Sequence, residues 1–370
     1  FMPTFLVAQE KAQDDRSFLT TLIEDNLSGT GHDIKISGFK GALSSRATIE
    51  ELTIADANGV WLTLGGAVLD WNRTALLRKR LEVNTLSVQE ILLLRLPEFE
   101  PSTPSAEAGD PFSIPDLPVA LQIKEVIAAK MVFGASVLGQ DLQARMKASA
   151  TLNDGVGDVA LEITRTDGAR GTVSLSVAYS NLSRVLGLNL SLTEGAGGIA
   201  AKRMRLPGAP ELSLRIAGEG LIDEYHADIA LATDGTERLK GTVDILAEMF
   251  DDGVQTQPAG YGFRIDVGGD IAPLFVPEYQ DFFGKDLKLK LRGRKGNVGD
   301  LDITQLSFKA QSMTIEGRAN IGSQGQPEYF NLSANINDPS GMPVLLPFLG
   351  VKTKISNAMF SLNYDRSKGD

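Results

Sequence analysis

Cysteine is absent from this chain. That excludes disulfide staples, thiolate zinc sites, iron–sulfur clusters and cysteine nucleophiles, whichever compartment the protein occupies. Histidine is nearly absent as well, so base or metal chemistry could draw only on His32 and His226. Basic charge is in deficit: 36 Lys and Arg stand against 47 Asp and Glu, for a net charge of -11. The longest basic run is Arg78-Lys79-Arg80, too little for the cationic face that a nucleic-acid binder needs. Long apolar runs are missing too, since no stretch approaches the ~20 residues that span a bilayer as a helix. What is present is a hydrophobic content of 42%, too high for a disordered chain. Glycine is also plentiful, 38 of 370 residues against a usual share of about 7%, which points to many turns and strands.

The first eight residues, Phe1 to Ala8, are apolar and stop at Gln9, Glu10 and Lys11. Residues 1–13 therefore read as the remnant of a signal anchor or tail. Over residues 14–28, Phe18, Leu19, Leu22, Ile23 and Leu27 recur at helical spacing between an Asp14-Asp15 start and a Ser28-Gly29 stop, which predicts one amphipathic helix.

After Gly29 the period of the pattern changes to two and stays there for most of the chain. Val173, Leu175 and Val177 alternate with polar or small residues, as do Leu188 and Leu190, and Leu212, Leu214 and Ile216. Ile229 and Leu231 continue the pattern, followed by Phe263, Ile265 and Val267. It is cleanest in Leu287, Leu289 and Leu291 against Lys288, Lys290 and Arg292, and it extends through Phe330, Leu332 and Ile336. Such segments are strands with one dry and one wet face, joined by turns such as Asn58-Gly59, Asp167-Gly168 and Asp234-Gly235. With no crossover helix of ten or more residues between strands, a parallel α/β fold is excluded. The fold class expected is mainly β: an elongated open β-groove of amphipathic strands, with an N-terminal helix and short interspersed helical turns.

Six of the sixteen prolines fall within Pro97 to Pro118, so residues 97–118 read as a Pro-rich loop or linker. It separates an N-terminal β block, 29–96, from a repetitive β-groove array, 119–370. Within the array, Pro277-x4-Phe282-Phe283-Gly284 and Pro343-x4-Phe348-Leu349-Gly350 share a spacing, with Ser180-x4-Val185-Leu186-Gly187 as a looser copy. Proline at a first helical turn and glycine at its exit predict a short apolar helix at each. Leu239-x-Gly241-x-Val243-x-Ile245 and Ile315-x-Gly317-x-Ala319-x-Ile321 form a second echo. Repeats of this kind favour quasi-linear stacking.

Chemical motifs are weak. Gly195-Ala-Gly-Gly-Ile-Ala200 matches a dinucleotide fingerprint, but Pro207-Gly208 halts any helix after about eight residues, which predicts a glycine-rich corner and no nucleotide site. His226 shares the wet face of its strand with Asp228, and His32 lies in a connection. Neither has the partners of a triad or a metal site. The carboxylates are scattered over strand exteriors and turns, so none pair for acid–base work. The reading is of a protein that is no enzyme and carries no catalytic residue, cofactor or metal.

Four segments carry a resemblance: Ile34 to Ile49 (IKISGFKGALSSRATI), Glu51 to Leu62 (ELTIADANGVWL), Leu69 to Leu77 (LDWNRTALL) and Glu194 to Gly208 (EGAGGIAAKRMRLPG). Together they resemble the N-terminal part of the TamB family, inner-membrane subunits of the translocation and assembly module within the AsmA-like superfamily. The array after Gly260 is similar to that superfamily only in pattern. The resemblance implies a Gram-negative periplasmic protein anchored in the inner membrane by an N-terminal segment missing here. It implies a U-sectioned sheet that moves phospholipid toward the outer membrane and is linked to outer-membrane protein assembly and secretion. The partner it implies, an outer-membrane barrel of the Omp85 family, would be reached through regions not recognised in this sequence. On that reading the nineteen aliphatic and aromatic residues named above, from Val173 to Ile336, line a groove for phospholipid acyl chains. The alternatives are a closed scaffold or chaperone-like assembly factor for outer-membrane and autotransporter proteins, and an enzyme with a polar pocket.

Overall fold

The computed structural model describes residues 33–41, 44–97, 114, 119–251, 256–297, 299–347 and 352–368. The expected anchor remnant, the 14–28 helix, His32 and nearly all of the Pro-rich segment lie outside the described residues. Strand accounts for 66% of the structure and helix for 9%, so the class is mainly β, with short interspersed helical turns. The chain divides into two compact units, the first running to Glu107 and again over Ser113–Leu182, the second holding Ala108–Phe112 and Ser183–Asp370.

In the first unit β1 (Asp33–Ser37), β2 (Arg46–Asp56), β3 (Gly59–Asn72) and β4 (Arg80–Leu93) pair in chain order, all antiparallel. β5 (Ala120–Phe133), β6 (Leu142–Asn153), β7 (Val156–Arg165) and β8 (Gly171–Ser180) continue the sheet, again antiparallel to one another. The exception is the β4–β5 pair, which is parallel. A parallel pair needs a crossover of a dozen or more residues, and the stretch between Leu93 and Ala120 supplies that length. Nothing in the sequence announces this pair, because the Pro-rich segment has neither an alternating nor a helical pattern. It follows that the blocks on either side of the linker share one sheet.

The second unit holds β9 (Val185–Glu194), β10 (Leu212–Leu221), β11 (Glu224–Thr233), β12 (Thr236–Asp251) and β13 (Thr256–Gly269). It continues with β14 (Leu287–Gly296), β15 (Leu301–Lys309), β16 (Met313–Ile321), β17 (Pro327–Asn337) and β20 (Asn357–Asp365). Every adjacent pair is antiparallel. A small ladder of β18 (Val344–Leu345) and β19 (Lys354–Ile355) fills the β17–β20 connection. Within neither unit does the row of paired strands close on itself among the described residues. Turn chemistry follows the sequence: Asp234 and Gly235 adopt φ of 49° and 71°, the paired positive values of a two-residue hairpin whose twist matches the flanking strands.

Two of the three expected helical repeats need correction. Val185, Leu186 and Gly187 open β9, because Val185 to Glu194 finds a full antiparallel partner in β10 and the ladder outweighs one apolar turn. The Pro343 copy begins with β18, while its Phe348 to Gly350 lie outside the described residues. The Pro277 copy is the helix expected, Pro277–Phe283, with Pro at its first turn and Gly284 leaving it at φ 67°.

Candidate lipid-binding face

Directly opposed residues on neighbouring strands share a face of the sheet, so the register assigns each side chain to a side. In the second unit one row runs Leu190, Ile216, Ile229, Gly241, Val267, Leu289, Phe308, Ile315, Ala334 and Phe360 across all ten strands. The next row runs Leu188, Gly218, Ala227, Val243, Ile265, Leu291, Leu306, Gly317, Leu332 and Leu362. Neither row contains a charge or a hydrogen-bonding side chain. The remaining predicted residues of this unit fall on the same face: Leu214 opposes Leu231, Leu212 opposes Thr233, Gly269 opposes Leu287, Met313 opposes Ile336, and Phe263 opposes Gly293. Phe330 opposes Tyr364, and the two rings stack at 5.2 Å.

Glycines within these rows let large neighbours lie flat. A Cβ on Gly317 would collide with the Leu332 side chain, and one on Gly293 would collide with the Phe263 ring. The echo of Gly241 and Gly317 noted in the sequence thus places a gap between bulky pairs, Ile229 with Val267 and Leu306 with Leu332.

Burial varies along the strands. Leu212, Leu287 and Ile336 are sealed, at 2%, 3% and 2% exposure, whereas Leu188, Leu190, Leu214, Ile216, Leu289, Leu291 and Leu332 are only half-buried. The sealed residues lie at the strand ends that receive the connections. There the Pro277–Phe283 helix brings Phe282 and Phe283 onto Leu287, Ile336, Val344 and Leu346, and Phe275 stacks on Phe283 at 3.8 Å. The amides of Gln311 and Ser312 donate to the carbonyls of Phe283 and Phe282 at 3.0 and 3.1 Å, so the helix exit is clamped to the β15–β16 turn. Nearby, the Ser312 hydroxyl donates to Asp338 at 2.9 Å. Hydrogen bonds from the Ser340 side chain and amide, then from Ser312, hold the Asp338 carboxyl below its usual range.

The Ile199–Arg203 helix and the loop after it cap the same end, with Ala201 and Leu206 against Leu212. This is the corner of the glycine-rich fingerprint. Its helix has five residues, its flanking strands β9 and β10 are antiparallel, and the Glu194 carboxylate already accepts from the amides of Ile199 at 3.1 Å and Ala200 at 2.8 Å. A pyrophosphate would need those donors. Glu194 was missed in the sequence, although its position supplied a signal: it is an acid in step with Leu186, Leu188, Leu190 and Leu192 on a dry face.

In the first unit the face is as continuous. One row runs Ile49, Ala67, Val88, Ala128, Met146, Ile163 and Val173, and another runs Ala47, Leu69, Leu86, Val126, Ala148, Leu161 and Leu175. A third joins Trp71, Val83, Ile123, Ala150, Val159 and Val177. Its middle is a true core, with Trp71, Val83, Val88, Ile91, Ala128 and Met131 buried in one cluster. Val173, Leu175 and Val177, towards the edge, are half-buried.

The opposite face carries the charges. Lys288, Lys290 and Arg292 are exposed, and Lys290 meets Asp266 across the ladder at 3.2 Å. His226 is exposed there too, its Nδ1 at 2.6 Å from Asp244 and its Nε2 at 3.7 Å from Asp228. The hydrogen bond to Asp244 raises the imidazole pKa above its ordinary 6.5. A cleft of about 570 Å³ outside the Pro277–Phe283 helix is lined by Asp270, Asp281, Asp286, Lys285 and Lys309, and no group of three potential metal ligands occurs among the described residues. No helix of the described residues is long and apolar enough to cross a membrane.

Comparison with family models, curated proteins and solved structures gives no match to this chain. What can be assigned is therefore a class: a mainly β protein in whose two units rows of apolar residues run from strand to strand on one face.

Proposed function

We propose that the second unit holds phospholipid acyl chains on its apolar face, as part of a bridge that carries lipid between the membranes of a Gram-negative envelope. The observation that carries the reading is the pair of ten-residue rows without a polar side chain, most of whose members are half-buried and two of which, Phe360 and Leu362, are exposed. An apolar surface of that extent is uncommon on a protein with no ligand or partner to cover it. Each acyl methylene buried on it gains roughly 0.8 kcal/mol. A row without a polar stop lets a chain slide at nearly constant free energy, while the headgroup stays at the wet rim. The AsmA-like resemblance supports the same reading and adds the periplasmic location, the inner-membrane anchor, the link to outer-membrane protein assembly and the Omp85-type partner.

The buried cluster around Trp71 favours a second role for the first unit, that of a closed scaffold, since no acyl chain fits where side chains already fill the face.

The test uses the single strand that offers both faces. Leu289→Asp, in the middle of the first row, is expected to leave the circular dichroism spectrum intact while bound phospholipid, measured by mass spectrometry of an organic extract, falls several-fold. Lys290→Ser on the wet face should change neither. A parent protein without lipid after preparation from a Gram-negative host would refute the reading. So would an unfolded Leu289→Asp protein, since an unpaired buried carboxylate unfolds a closed core.

A further inference from the structure

The two most exposed large apolar side chains among the described residues are Leu182, at 96%, and Leu77, at 89%. Single exposed leucines are ordinary, but these two occupy the same rim of the first unit. Asn72 opposes Glu82, Arg80 opposes Ala120, Leu121 opposes Leu152, Asn153 opposes Val156 and Val156 opposes Ser180. The β3–β4 connection with Leu77 and the turn after β8 with Leu182 therefore emerge on one side.

Beside Leu77 lies the longest uninterrupted basic run of the chain, Arg78-Lys79-Arg80. Arg73, Arg78, Lys79 and Arg80 lie within eight residues and are all exposed, on a protein whose net charge is -11. Among the described residues, the acids near them include Asp70, which opposes Arg46, and Glu82, which lies 4.0 Å from Arg80 and accepts from Asn72 at 2.9 Å. Asp154 stands at the β6–β7 turn of the same rim.

The tip is also firmly held. The Arg73–Arg78 turn buries Ala75 and packs Leu76 on the Trp71 cluster. Lys79 takes the left-handed conformation at φ 55°, its amide donates to Leu76 at 2.9 Å, and its carbonyl accepts from Ala120 at 2.9 Å. Leu77 is turned outward by a structured loop anchored at both ends.

We propose that this rim is a membrane-contact edge, with Leu77 and Leu182 entering the headgroup region of an anionic bilayer and Arg73, Arg78, Lys79 and Arg80 facing its phosphates. Apolar tips ringed by cations bind anionic membranes by this combination of insertion and charge. The proposal goes beyond the acyl-chain reading and stands without it, because the residues belong to different faces and the charge variants leave both apolar faces intact.

The experiment is co-sedimentation of the full chain with phosphatidylcholine vesicles, with and without phosphatidylglycerol. Binding is expected only when phosphatidylglycerol is present and should weaken as salt is raised. Because each basic side chain near such a surface is worth roughly a fivefold change in partition, Arg78→Gln/Lys79→Gln should bind at least about tenfold more weakly. Leu77→Ser/Leu182→Ser should lower the salt-resistant part of the binding. Lys288→Gln/Lys290→Gln, which thins the basic strand of the second unit, should bind as the parent does. Three results would overturn the proposal: no dependence on phosphatidylglycerol, undiminished binding by Arg78→Gln/Lys79→Gln, or loss of binding on substituting Lys288 and Lys290 instead.

Discussion

At the level of single residues, the polar groups of this protein act locally and hold corners in place. Glu194 satisfies two amides at the start of a five-residue helix, and Asp338 ties the β15–β16 turn to the end of β17 through Ser312. His226 links stability to pH near neutrality. Its folded pKa lies above 6.5 because protonated imidazole bonds Asp244. The stability it adds is therefore fully present below ~6.5 and is lost as pH rises through the folded value. His226→Gln is expected to flatten that part of the profile of melting temperature against pH. Asp244→Asn should do the same, and a parent profile with no fall above ~6.5 would exclude the linkage. The sequence placed His226 on a wet face beside Asp228, but the closer partner, Asp244, comes from the neighbouring strand, and only the β11–β12 register supplies it.

At the level of elements, alternation and turn residues account for most strands, and they do so because a half-covered sheet needs one dry side chain in two. Where local pattern and ladder competed, the ladder prevailed, as at Val185 to Gly187, since backbone pairing over ten residues outweighs one apolar turn. The Pro277–Phe283 helix kept its form because it has its own burial to gain: Phe282 is 2% exposed, against Leu287 and Ile336. Phe282→Ala is expected to cost about 3–5 kcal/mol, the range for emptying a buried aromatic site, read from the denaturant midpoint of the transition that reports the second unit. A loss below about 1 kcal/mol would mean that the helix is an ornament and does not close that end of the face.

At the level of the whole molecule, an open sheet leaves edges. The far side of β20 pairs with no described strand, and Met359, Phe360 and Leu362 there are 79%, 55% and 57% exposed. Such an edge is a template for pairing with another chain. Concentration-dependent association is expected in sedimentation velocity, and Phe360→Lys/Leu362→Lys should weaken it by about tenfold or more, through lost apolar burial and added charge. A parent protein that stays monomeric at high concentration would count against an adhesive edge.

The sequence by itself determined the mainly β class, the identity of the dry-face residues and the wet ones, the Asp-Gly turns and the Pro277 helix. Each of these follows from side-chain period, backbone preference and burial within a few neighbouring residues. Only the tertiary structure decided that β4 and β5 run parallel, because a Pro-rich crossover has no periodicity to read. It alone joined residues such as Leu190 and Phe360, 170 positions apart in the chain, into one row, since register is set by nine successive pairings. It also decided which part of the apolar face is sealed. Leu287 and Leu289 belong to one alternating run, yet one lies under Phe282 and Phe283 while the other stays half-covered, because burial depends on what the connections bring over a strand's end.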